Sequence, residues 1–477
     1  MAELTTTEAR AGDGHRLWHA EFAWLGDRFR SNVLIEASGG LFTDVWADVE
    51  PPPEAERLSG LVLPGLANVH SHAFHRALRG HTQAERGTFW TWRKRMYEVA
   101  ARLEPDTYLD LATAVYAEMA LAGITCVGEF HYLHHAPGGG RYADENAMGS
   151  ALIEAASRAG LRVTLLDTLY LAGGIATPVE GVQVRFSDAD AGRWAHRVTD
   201  LHSALAGPGQ LGSQRSRIGV AIHSIRAVPP EQFEPVIAWS HEHTAPLHLH
   251  LSEQRAENDA CMAAYGKTPA AVFMASGVLG PRTTAVHATH VVDEDIALLG
   301  ESGTAVCMCP TTERDLADGI GPARLLSLAG SPVVLGSDGH SVIDLFEEAR
   351  AVELDERLRT EVRGHWTAGE LLQAATMAGH ARLGWPEAGV IAPGALADLV
   401  VIDTDSVRLA GWQPAIAAET VVFAATAADV RQVVVNGRDI VRDGRHLLVD
   451  DVPEALAASV GAVLTDSSSR RAAAGDS

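Results

Sequence analysis

Six residues whose side chains could bind a metal ion or carry a proton stand out in the chain: His70, His72, His250, Glu253, His287 and Asp338. The first two close the run Leu63-Pro64-Gly65-Leu66-Ala67-Asn68-Val69-His70-Ser71-His72. On a β-strand alternate side chains share a face, so histidines one residue apart aim two imidazoles at one point. Three imidazoles and one carboxylate drawn from the six would make a borderline-soft site suited to zinc, with iron or manganese as alternatives. Taken singly, each has a plainer reading as a hydrogen-bonded core or loop group. Their shared placement at the ends of apolar runs argues against coincidence.

Eight such runs can be counted, at residues 66–72, 125–130, 162–168, 218–224, 247–253, 284–290, 304–310 and 332–338, each ending in polar residues or a turn. Helical stretches fill most of the intervals, for example residues 108–121 with apolar positions at helical spacing. Eight strand–helix units predict an α/β fold, a (β/α)8 TIM-like barrel whose active site lies at the carboxyl ends of its strands. The six residues fall there. His70 and His72 come from the first strand, His250 and Glu253 from the fifth, His287 from the sixth and Asp338 from the eighth.

The flanks have a different texture. Residues 16–24 and 31–36 are short mixed runs that break at Gly39-Gly40 and Pro51-Pro52-Pro53, as a small antiparallel sheet would. Similar runs return at 397–403 and 430–435, the second closed by the turn pair Asn436-Gly437. The expectation is a small discontinuous β-sandwich domain made from both termini, residues 1–62 and 386–464, around a barrel of residues 63–385. Residues 465–477, rich in Ser, Arg and Ala, read as a disordered tail.

A net charge of -23 argues against nucleic acid or an anionic membrane as partner, because phosphate binding needs a basic surface. No apolar run is long enough to span a bilayer, and Met1-Ala2-Glu3-Leu4-Thr5 does not begin a secretion signal, so a cytoplasmic location is expected. Cys126, Cys261, Cys307 and Cys309 lack disulfide-framework spacing, and Cys307-Met308-Cys309 reads as buried reduced thiols on a strand.

Pro64-Gly65 before His70-x-His72, His250-x-x-Glu253, the histidine opening His287-Ala288-Thr289-His290, and Gly336-Ser337-Asp338 resemble the aminohydrolase branch of the amidohydrolase superfamily. Within that branch the chain is similar to the formimidoylglutamate deiminases. This match is carried by Ser71-His72-Ala73-Phe74-His75-Arg76-Ala77, Phe89-Trp90-Thr91-Trp92-Arg93, Glu129-Phe130-His131-Tyr132, His223-Ser224-Ile225-Arg226-Ala227-Val228 and Cys309-Pro310-Thr311-Thr312-Glu313. The broader resemblance covers nearly the whole chain. The narrower motifs are spread from residue 71 to residue 313.

The resemblance implies that His70, His72, His250 and Asp338 bind one divalent ion, most readily Zn2+. Such an ion lowers the pKa of a bound water from about 15.7 toward about 7. Glu253 would shuttle a proton to the departing nitrogen, His287 would orient and polarise the attacked group, and Asp338 would double as a base. Many relatives use two metals bridged by a carboxylated lysine on the fourth barrel strand. Here the only lysines are Lys94, in a helical stretch after strand one, and Lys267, beyond strand five, so a single metal follows.

By the same match, Arg93 and Arg226 would grip the two carboxylates of a dianionic small molecule, with Tyr132 and His223 adding hydrogen bonds. Arg86 and Arg95 read as surface residues, and His134 and His135 as loop residues. Two positions depart from the family pattern: His75 stands where many members have glutamine, and Gly339 where many have serine. His75 could still bond substrate, but its titration near neutral pH would alter the pocket. The resemblance also implies a homodimer. A deaminase of a purine, pyrimidine or triazine ring is the nearest alternative and predicts an aromatic, cation-poor pocket. A metal-free structural barrel would lack a ligand, and none is missing. The cytidine-deaminase type of zinc site needs Pro-Cys-x-x-Cys, which is absent.

Overall fold

Four N-terminal strands build one half of a sheet before the chain enters the barrel, with buried and half-buried residues alternating along the second half of the second strand. In the computed structural model, which describes residues 14–84, 86–205 and 215–464, these strands are β1 (Arg16–Trp24), β2 (Phe29–Ser38), β3 (Leu41–Trp46) and β4 (Glu56–Pro64). The tail expected at 465–477 lies outside the described residues.

The barrel strands follow as β5 (Leu66–Ser71), β6 (Ile124–His131), β7 (Arg162–Leu169), β8 (Ser216–Ile222), β9 (Leu247–Leu251), β10 (Thr283–His287), β11 (Ala305–Met308) and β12 (Val333–Leu335). They coincide with the eight apolar runs. The chain then returns to the first sheet with β13 (Leu399–Ile402), β14 (Val430–Val435), β15 (Arg438–Arg442) and β16 (Arg445–His446). The α/β barrel with a β domain drawn from both termini is therefore the architecture of this chain.

The flanking strands join in the order β16-β15-β14-β13-β4-β1-β2-β3. This sheet is mixed where a small antiparallel one was expected. The reason is the connection through Pro51-Pro52-Pro53, which carries the chain back so that β4 lies parallel to β1. Trp18, Ile35, Leu58, Val62, Val401 and Val434 form its own core. Asn436 (φ 52°) and Gly437 (φ 71°) both take the left-handed region between β14 and β15, the geometry a tight two-residue hairpin demands.

The barrel strands are parallel neighbours in sequence order from β5 to β12. Most are buried along their full length, which is why they read as continuous apolar runs. Closure comes from the turn after β12: the Asp338 N–H donates to the His70 carbonyl at 3.0 Å, and the His72 N–H donates to the Asp338 carbonyl at 3.3 Å. Gly336 permits the approach, since a Cβ there would lie 2.8 Å from the His70 Cβ.

A buried ion pair links the two units. Arg162, opening β7, donates from Nε and Nη2 to the two Asp398 oxygens, each at 3.0 Å. The C-terminal segment also covers the barrel, because the helix Val452–Leu464 packs on the helix Pro105–Leu121, and Arg102 donates to the carbonyls of Val463 and Leu464. No described helix is long and apolar enough to cross a membrane.

Candidate metal centre and catalytic cavity

His70 sits on β5 and His72 just beyond it, His250 sits on β9, and Asp338 follows β12, so the strand ends bring them to the barrel axis. The Nε2 atoms of His70 and His250 are 3.2 Å apart, and the Nε2 atoms of His70 and His72 each lie 3.4 Å from Asp338 Oδ1. Backbone carbonyls set the tautomers. His72 Nδ1 donates to Phe130 O at 3.0 Å and His250 Nδ1 to His223 O at 2.9 Å, which turns each Nε2 lone pair inward.

Charge states agree with that reading. Burial pushes His72 down to about 3 and His250 well below its ordinary value, so both rings are neutral. Burial alone would raise Asp338, but the His70 hydrogen bond and the neighbouring histidines hold it well below the usual carboxylate range. Three neutral nitrogens and one carboxylate oxygen, all within 4.8 Å of one another, fit a divalent ion such as zinc.

His287 ends β10 and lies beside this group, with Nε2 3.7 Å from Asp338 Oδ2. Its Nδ1 donates to Glu313 Oε1 at 3.3 Å, and the same carboxylate oxygen accepts the Cys309 N–H at 2.9 Å. Burial would lower His287, but the Glu313 hydrogen bond and the charges of Glu253, Asp338 and Glu313 raise it to about 10. Backbone strain accompanies these positions: φ is 70° at His287, 43° at Asp338 and 49° at Ser252. Left-handed backbone at a non-glycine residue costs about 1–3 kcal/mol and persists only where surrounding bonds over-determine it.

Behind the ligands lies a buried web. Ser71 Oγ and the Ala73 N–H donate to the two Glu129 oxygens, each at 2.7 Å, while Asn68, Ser337 and His340 are cross-bonded beside them. Burial pushes Glu129 up to about 7 against those bonds.

A cavity of about 290 Å³ opens above the cluster, with His72, His250, His287 and Asp338 at its base. Arg93, Tyr132, His223, Arg226, His75 and Glu253 line it too, so every residue expected to meet substrate is brought to one place. Trp92, Tyr97, Tyr170 and Phe186 are among the residues of its walls.

The two arginines are held in different ways. Arg93, on the helix Phe89–Ala100, donates to the Tyr97 hydroxyl at 2.7 Å, stacks on the Tyr97 ring, and has no carboxylate partner among the described residues. Arg226 is committed to Glu253 and Glu257. His75 corrects the expectation of a group titrating near neutral pH, because burial, aided by His72, holds it well below the usual histidine range. Its Nε2 lies 3.2 Å from the Tyr132 hydroxyl.

Other expectations resolve outside the cavity. β8 carries no lysine; Lys94 is exposed on the helix Phe89–Ala100, and Lys267 is exposed just beyond the helix Arg255–Tyr265. Arg86 and Arg95 are exposed. His134 and His135 are loop residues but deeply buried, the latter 3.0 Å from Asp188. Cys307 ends inside β11 and Cys309 just past it, with sulfurs 4.0 Å apart in free, buried thiols. Glu257 carried no signal, since an acid in a helix's first turn is ordinary. Glu313 lies in the segment Cys309-Pro310-Thr311-Thr312-Glu313, where its spacing alone assigns it no role.

The sequence pattern of the Amidohydrolase family matches residues 61–440. The chain belongs to the amidohydrolase family. This amidohydrolase is 37% identical over 441 residues to the formimidoylglutamate deiminase of Pseudomonas aeruginosa, covering 90% of this chain and 95% of that one. It is 34% identical over 390 residues to the 8-oxoguanine deaminase of the same organism, covering 80% of this chain and 83% of that one. Among solved structures, an amidohydrolase from Brucella melitensis superposes with a TM-score of 0.87 at 32% identity, over 94% of this chain and 100% of that one.

Proposed function

We propose that this amidohydrolase is a zinc-dependent deiminase that hydrolyses N-formimidoyl-L-glutamate to N-formyl-L-glutamate and ammonia, a step of histidine degradation. The observation that carries the reading is Arg93, an arginine with no carboxylate partner among the described residues that lines the same cavity as His72, His250 and Asp338. A guanidinium that faces a cavity and is unpaired by protein carboxylates is matched to an anionic ligand. The 37% identity to the Pseudomonas aeruginosa deiminase supports the same substrate.

His70, His72, His250 and Asp338 would hold the ion, which when bound supplies a water acidic enough to attack at neutral pH. The remaining work belongs to the side chains. The reaction adds one water across the amidine carbon and expels one ammonia. Asp338 accepts a proton from the water. Glu253 carries a proton to the departing nitrogen. His287, braced by Glu313 through Nδ1, presents Nε2 to the attacked group. Arg93 and Arg226 take the carboxylates, with Tyr132, His223 and His75 around the chain between them. A cytoplasmic homodimer completes the reading.

The aromatic walls of the cavity favour a second reading, a ring deaminase, in line with the 8-oxoguanine deaminase relative. Ammonia release from N-formimidoyl-L-glutamate, measured beside guanine, cytosine and adenosine with zinc-loaded protein, separates the two. Release from the formimidoyl substrate alone, abolished in Glu253→Ala, is the expected result. Arg93→Met should raise KM for that substrate by about 10- to 100-fold, the worth of one charged hydrogen bond, with metal content unchanged. Release from a ring substrate alone would overturn the reading.

A further inference from the structure

Arg226 stands between two carboxylates that are anchored unequally. Its Nε lies 2.6 Å from Glu257 Oε2, and its Nη2 donates to Glu253 Oε2 at 3.1 Å. Glu257 is buried in the first turn of the helix Arg255–Tyr265, and its other oxygen accepts the Ser252 N–H at 2.9 Å. Glu253 accepts no other side-chain hydrogen bond among the described residues, and it faces the cavity together with Arg226. The arginine is thus fixed to the fold through Glu257 and joined to Glu253 by one replaceable contact.

We propose that Arg226 is a carboxylate exchanger. In the free enzyme it tethers Glu253; a carboxylate of the substrate takes Glu253's place on the guanidinium, and Glu253 is released toward the departing nitrogen. Glu257 is the positioning residue that keeps the guanidinium in place during the exchange. One charge-assisted hydrogen bond replaces another, so the exchange is close to balanced, and the substrate shifts it by its own affinity for the vacated fork. The inference rests on the reading of Glu253 as proton carrier and of the substrate as a dicarboxylate. It adds that a substrate carboxylate contributes to kcat as well as to binding, because an amidine without one leaves the tether in place.

The test uses N-propylformamidine, which presents the amidine and no carboxylate, with zinc-loaded wild-type enzyme. At saturation its kcat should fall at least about ten-fold below that of N-formimidoyl-L-glutamate. Added propionate should raise it several-fold at unchanged metal content, and propionamide should not. In Arg226→Met the tether is gone, so kcat on N-propylformamidine should match or exceed the propionate-activated wild type and ignore propionate. Should that variant fail to fold, the wild-type response to propionate decides alone. Equal kcat on the two substrates with no response to propionate would overturn the exchanger and leave the proposed function standing. No ammonia from N-formimidoyl-L-glutamate in the same assay would overturn the function and the exchanger with it.

Discussion

Asp338 is joined to His70 twice. Its backbone N–H donates to the His70 carbonyl at 3.0 Å, and its carboxylate oxygen lies 3.4 Å from the His70 Nε2. The seam that closes the barrel and the cluster able to hold a metal are therefore one structure. The cause is the shortness of β12, which ends at Leu335 and leaves the following turn to reach β5.

An ion that binds the folded cluster and not the unfolded chain stabilises the fold by about 4 kcal/mol at a free concentration a thousand times its Kd. Chelation should lower Tm by several degrees and speed hydrogen exchange at the His72 and Asp338 amides more than at β7. Mass-spectrometric exchange with and without chelator checks this; equal rates at the seam would separate closure from the ion.

Gly336→Ala should open the same seam. The added Cβ would meet the His70 Cβ at 2.8 Å and the His70 backbone N and O at 3.0 Å, so the strands must part. Overpacking of this kind costs about 1–3 kcal/mol. Denaturant unfolding and bound zinc per chain should both fall, and a variant keeping both would show that the turn after β12 can shift without loss.

Arg197 holds Asp167 and Asp188 in a wholly buried network, donating to both at 2.8–3.2 Å. Burial would raise both acids, but Arg197 holds Asp167 below the usual range, and His135 with Arg197 holds Asp188 far below it. Depressed carboxylates contribute stability that is complete above their unfolded pKa of about 3.9 and is lost as pH falls through the folded values. Arg197→Ala should cost about 3–5 kcal/mol at pH 7, because it strands two buried charges. The gap should narrow toward acid, where protonation relieves them. Urea titrations at several pH values test the slope, and a constant gap would contradict it.

His75→Gln should leave the shape of the pH–rate profile between about pH 6 and pH 8 unchanged, because a histidine held well below its ordinary value is already neutral there. A limb that disappears from the profile in this variant would show that His75 titrates in the working range. KM is expected to change, since an amide of different shape replaces the imidazole that lies 3.2 Å from the Tyr132 hydroxyl.

The sequence by itself determined the barrel and placed six candidate metal or proton-carrying residues at its strand ends, because both patterns are local in the chain; the choice of His70, His72, His250 and Asp338 among them came from the family resemblance. Buried parallel strands are short apolar runs, and His70-x-His72, His250-x-x-Glu253 and Asp338 stand at fixed offsets from strand ends. Pairings across the fold had no such signature. Arg162 and Asp398 meet across 236 residues, β4 runs parallel to β1 because of the path through three prolines, and His75 loses its titration to burial. Above all, Arg226 could be placed at the cavity from its strand end, but not between Glu253 and Glu257. Periodicity reports which way a side chain leaves its own backbone, whereas a partner's distance and the water excluded around it depend on how distant segments pack, and only the tertiary structure decides that.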